Sequence, residues 1–173
     1  MILYNNAFDL YHTIFRMLHL LSKVNPDQKI ETDKIRIWDY YLLFPNEIFK
    51  IKPLRNEKEF KAILKQLHVI KNNPYQQIYD ERKTLQKIKP YQHSALICLA
   101  SYNIIDKDSL LENFIKINSV ELLKKYSQSV GELSPREKNI ITIVTSSFYD
   151  ISLFGEKGLK SRSNLMESRY DEK

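Results

Sequence analysis

The stretch Asn6-Ala7-Phe8-Asp9-Leu10-Tyr11-His12-Thr13-Ile14-Phe15-Arg16-Met17-Leu18-His19-Leu20-Leu21-Ser22-Lys23 decides the fold class. Wound at 100° per residue, its polar positions Asp9, His12, Thr13, Arg16, His19 and Lys23 fall within a sector of roughly 120°. The residues between them, from Ala7 and Phe8 to Leu20 and Leu21, are apolar. A helix with so broad an apolar girdle is packed on more than one side. It is either the central helix of a domain or a helix that meets a partner, and both readings stand at this level. Asn25-Pro26-Asp27 ends it.

Further helices follow downstream. Thr32 is a good N-cap for a second helix over Asp33–Phe44, stopped by Pro45, with Ile35, Trp38, Tyr41 and Leu42 on one face. Ile48–Ile51 reads as a short strand between Pro45 and Pro53. A third helix runs over Asn56–Lys71, with Phe60, Ile63, Leu64, Leu67 and Ile70 inward and Arg55, Lys58, Lys61 and Lys65 outward. Asn72-Asn73-Pro74 closes it. Residues 75–89 fit a poor β-hairpin, a short helix or both. Pro90 suits the first turn of a buried helix ending near Ile105. Asp106 caps a short helix to about Ile115, and Ser119 caps one to Tyr126. Ser134-Pro135-Arg136-Glu137 combines an N-cap, a proline at the first helical position and a capping-box glutamate, for a helix to about Ser152.

The expected fold is therefore mainly α: a winged-helix-like core over about 7–105, additional helices and at most a small β-hairpin. A plain helical bundle is the alternative. Residues 1–155 are expected to form a single compact domain, and 156–173 a polar, flexible tail. The 3 glycines leave little room for hairpins and phosphate-cradling loops, while 11 Tyr and 8 Phe supply large buried areas or half-wet contact surfaces.

The formal charge of +6 is concentrated. Lys50–His93 holds eleven basic and four acidic residues, more than the whole excess. Lys50, Lys52, Arg55, Lys58, Lys61, Lys65 and Lys71 are the candidate contacts to phosphates or to an acidic partner. The plainer reading is a well-solvated basic helix. Cys98 is the single cysteine and lies in the apolar run Ala95-Leu96-Ile97-Cys98-Leu99-Ala100, where burial is its expected role. No signal-peptide pattern and no uninterrupted apolar run of membrane-spanning length is present, so a cytoplasmic protein is expected.

Motifs for chemistry are missing. Gly155-Glu156-Lys157-Gly158-Leu159-Lys160 lacks the spacing and the Lys-Ser/Thr ending of a phosphate-binding loop. His12 and His19 are about 10.5 Å apart along a helix axis, too far to share one metal ion. Glu59-Phe60-Lys61 has an acid-x-Lys spacing found in some metal-dependent nucleases, but on a helix those side chains diverge. No catalytic residue, metal site or cofactor is expected, and the enzyme reading, a metal-dependent nuclease, ranks last.

Two segments are more distinctive than periodicity requires: Tyr4-Asn5-Asn6-Ala7-Phe8-Asp9-Leu10-Tyr11-His12-Thr13-Ile14-Phe15-Arg16 and Ile35-Arg36-Ile37-Trp38-Asp39-Tyr40-Tyr41-Leu42-Leu43-Phe44-Pro45. With Pro90-Tyr91-Gln92-His93-Ser94-Ala95-Leu96 and its continuation to Ile105, they resemble the small middle component of the ABC-three-component systems, the bacterial anti-phage group that includes Lamassu. The resemblance spans about 4–105. It implies a winged-helix-like, non-catalytic adaptor that sits with a coiled-coil ATPase of the SMC/Rad50 type and an effector, often a nuclease. Such a subunit restrains the effector or couples it to DNA sensing, with non-specific DNA contact inside the complex. A free-standing winged-helix DNA-binding regulator is the alternative, with the basic third helix as its recognition helix. The motif residues map to Asp9, Tyr11, His12, Arg16, Asp39, Tyr40, Tyr41 and Pro45, and their plainer role is structural. Asp9 and Arg16 are two turns apart, too far to pair, and Asp39 is expected to bond a nearby backbone group or tyrosine. Tyr11, His12, Arg16, His19, Trp38, Asp39, Tyr40 and Tyr41 are the candidate partner interface.

Overall fold

The computed structural model describes residues 5–51, 57–66 and 78–167. In chain order it contains a 3-10 turn at Asn6–Phe8, α1 (Leu10–Leu21), β1 (Ile30–Glu31) and α2 (Thr32–Leu43). A second 3-10 segment, Pro45–Lys50, precedes α3 (Glu57–Gln66) and α4 (Glu81–Ser101). Then come α5 (Lys107–Leu111), β2 (Phe114–Ile115), α6 (Val120–Ser129), α7 (Pro135–Ser147) and α8 (Leu159–Ser163). The chain is mainly α. No helix among the described residues is long and apolar enough to cross a membrane.

The chain divides into two compact units, Met1–Asp39 with Lys87–Glu132, and Tyr40–Gln86 with Leu133–Lys173. In the first, α1 packs on α6. Asp9 caps α1 by accepting from the His12 N–H at 2.8 Å, Asp106 caps α5 from Ser109 at 2.8 Å, and Ser119 caps α6 from Leu122 at 3.2 Å. β1 pairs antiparallel with β2, Ile30 opposite Ile115 and Glu31 opposite Phe114, and a bridge joins Ile105 to Ile117. All four isoleucines are buried. The strands come from distant parts of the chain, and of residues 75–89, read as a poor β-hairpin, a short helix or both, those from Glu81 on are helical. Among the described residues no winged-helix hairpin is present, since residues 81–89 are helical; 75–77 lie outside the description.

The second unit is organised around aromatic rings. Tyr41 and Phe148 meet edge to face at 5.8 Å, Phe60 lies 6.0 Å from Phe148, and Tyr40 contacts both Tyr41 and Phe44. The Ser134 hydroxyl accepts from the Glu137 N–H, and the Glu137 carboxylate accepts from the Ser134 N–H at 2.7 Å. The capping box read from the sequence is therefore formed. α7 ends at Ser147, short of the expected Ser152, and its buried side is Ile140, Ile141, Ile143, Val144.

Three local expectations are corrected. Ile48–Ile51 is not a strand, because the segment from Pro45 to Lys50 is a 3-10 helix that buries Ile48. Pro90 does not open a helix but lies inside α4. Its ring costs a hydrogen bond to the Gln86 carbonyl, yet Leu85, Ile88, Ala95, Leu96 and Leu99 form a buried stripe that carries the helix through it. The segment from Glu156 to Glu167 is not a loose tail. α8 is bonded back through Leu159 N–H to Ser152 O at 2.7 Å, and Leu153, Leu159 and Leu165 are buried. Gly158 is required there, since a Cβ would stand 2.3 Å from the Phe154 carbonyl oxygen. Residues 168–173 lie outside the description.

Candidate functional site

Helix α1 is oriented differently from the sequence reading. Thr13 and Arg16, expected in its solvent sector, are buried, with Arg16 only 3% exposed. Tyr11 is 82% exposed, and Phe15, His12 and His19 are half-buried. The outer arc thus holds Tyr11, His12, Phe15, His19, Ser22 and Lys23, rotated by roughly 80° from the expected one.

The cause is a buried charge network. Arg16 donates from Nε to Asp39 Oδ1 at 2.6 Å and from Nη2 to Asp39 Oδ2 at 3.3 Å. Its remaining donors reach Thr13 Oγ1 at 3.1 Å and the Asn6 carbonyl at 3.2 Å. Gln92 donates to Asp39 Oδ2 at 2.8 Å and to the Arg36 carbonyl at 3.1 Å, while its oxygen accepts from Arg36 Nε at 3.0 Å. Arg36 also bonds Asp33 at 2.6 Å. Asp39, fully buried, therefore receives three donors from two other helices, rather than bonding a neighbouring backbone group or tyrosine. A buried pair this well satisfied fixes which faces of α1, α2 and α4 meet; removing one partner leaves an uncompensated charge. Arg36, Asp33 and Gln92 were not singled out from the sequence. Gln92 had left a signal, a polar residue within the apolar stripe of α4.

Of the candidate interface residues, Tyr11, His12 and His19 lie on the outer arc. Arg16, Trp38, Asp39, Tyr40 and Tyr41 are interior positions. Burial, then the neighbouring Glu47 carboxylate, raises the Tyr40 phenol far above its ordinary range, and burial does the same for Tyr41. Rings also order the outer face. Phe8 meets Tyr91 at 5.7 Å, Phe15 meets His19 at 4.7 Å and His12 at 6.5 Å, all edge to face. His19 Nε2 lies 3.0 Å from the Gly131 carbonyl.

Among the candidate phosphate contacts, Lys50 is engaged: its Nζ lies 2.7 Å from Glu47 Oε2 and 2.9 Å from Glu81 Oε1. Flanked by two carboxylates, it is not a free cation for a phosphate. Lys61 and Lys65 are exposed on α3. Lys52, Arg55, Lys71 and the side chain of Lys58 lie outside the described residues. Glu59 and Lys61 lie on α3, a helix and not a strand. Among the described residues no three His, Cys, Asp or Glu side chains are grouped to hold a metal ion.

Residues 2–171 match the family model of the ABC-three component (ABC-3C) system Middle Component 5. The chain belongs to this family. The match extends the resemblance seen over 4–105 to nearly the whole chain, including the second unit and α8. No curated protein and no solved structure matches it. As a middle component it is one part of a system with other subunits, and the family implies anti-phage defence.

Proposed function

We propose that this middle component is a non-catalytic adaptor of a Lamassu-like defence complex, linking an SMC/Rad50-like coiled-coil ATPase to an effector nuclease. It restrains that effector until the ATPase senses DNA. The near-full-length match to a family defined by its place in a three-component system carries this reading. Its polar investment supports it: the buried Arg16, Asp39, Gln92 and Arg36 groups are committed to one another and hold helices in register. DNA contact inside the complex is non-specific, through exposed lysines such as Lys61 and Lys65, which grip phosphates without reading bases. The test is effector activity on DNA, reconstituted with and without this chain and the ATPase. The reading predicts an effector that is quiet with the chain and active once ATPase, ATP and DNA are added. An effector indifferent to the chain would remove the adaptor role.

A further inference from the structure

The outer arc of α1 is unusual for a solvent face. Within α1, His12, Phe15 and His19 follow the alternating three- and four-residue spacing by which one helix seats against another, and Phe8 stands in the 3-10 turn just before the helix. Tyr11 stands beside them, 82% exposed. The rings are already fixed by their edge-to-face contacts and by the His19 bond to Gly131, so little side-chain freedom remains to be lost on binding. The exposed Tyr11 and the half-buried rings beside it are aromatic groups of the kind enriched where a few residues dominate binding energy at interfaces.

Charge selects the occupant. The arc carries no carboxylate; Lys23 is exposed at its C-terminal end. At the other end Tyr91, in contact with Phe8, has the exposed Lys87 one turn before it on α4. α1 itself, 12 residues, is about 18 Å long at 1.5 Å per residue, a little under two heptads. We propose that this face docks an amphipathic helix of another subunit of the same system, about two heptads long, apolar along its centre and acidic at both ends. The proposal rests on the adaptor reading and names the surface that performs it.

The experiment uses the full chain co-expressed with the other components of its own system. Tyr11→Asp and Lys23→Glu are compared with wild type for affinity to those components, with thermal unfolding as the folding control. Each variant should weaken association about tenfold or more at an unchanged melting temperature. Hydrogen exchange on the wild-type complex should show new protection over 9–23. Variants that bind like wild type, with no protection of α1, overturn the docking face and leave the adaptor reading standing. A wild-type chain that associates with none of the components overturns both. A wild-type homodimer dissolved by Tyr11→Asp identifies a second copy as the occupant and overturns the proposed one.

Discussion

Asp39 collects the guanidinium of Arg16 and the amide of Gln92 in a site without water access, and this makes it the most sensitive single position in the first unit. Asp39→Ala should lower stability by about 3–5 kcal/mol, because Arg16 is left buried without its counter-charge. Replacing both, as Arg16→Met with Asp39→Leu, should cost far less than the two single changes together. Urea unfolding of Arg16→Met, Asp39→Leu and the double variant measures this, and additive losses would show that the pair is not coupled. At this scale the sequence was only partly legible. Ser134 and Glu137 announce their capping box because the motif is local. Arg16 and Asp39 are 23 positions apart, and nothing in either segment shows that one answers the other. A buried arginine looks like a solvent residue until its partner is known, so the outer arc of α1 is offset by roughly 80° from its polar sector, keeping His12, His19 and Lys23 but not Thr13 and Arg16.

Among the elements, α4 was the hardest to read, since Pro90 carries the signature of a helix start and is an interior residue instead. Pro90→Ala restores the missing backbone bond and should raise stability by up to about 3 kcal/mol. A lower melting temperature would mean that the proline serves the helix where it is. The N-terminus of α4 is tied to the segment Pro45–Lys50 by Lys50, and this link is sensitive to pH. Partial burial pushes the Glu81 carboxyl up, but its bonds to Lys50 and to its own backbone N–H outweigh that and hold it below its ordinary value. A depressed carboxyl stabilises the fold above its unfolded pKa, near 4.5, and loses that contribution as pH falls through the folded value. Burial pushes Lys50 down, yet Glu47 and Glu81 raise it, so its contribution is complete below about 10.5 and lost as pH rises beyond. Glu81→Gln should therefore flatten the acid limb of stability between about pH 5 and 3. An unchanged limb would place the acid sensitivity elsewhere. α8 escaped notice for a different reason: it is five residues long with Leu159 as its one buried apolar residue, too short to show a period.

For the whole molecule, helix content and most caps were legible because they are set by neighbours in sequence, whereas the division into two units and the pairing of β1 with β2 depend on distant contacts. Any affinity of the chain for DNA should fall steeply with salt, since exposed lysines release counterions without reading bases. Sequence-selective binding that persists at physiological salt would favour a free-standing regulator instead. The adaptor account itself turns on connectivity. The direct measurement is native mass spectrometry of the three co-expressed components, with and without this chain. The account predicts one assembly containing all three, and an ATPase and effector that separate when the chain is left out. An ATPase and effector that remain joined without it, or a chain that stays apart from both, would contradict the account.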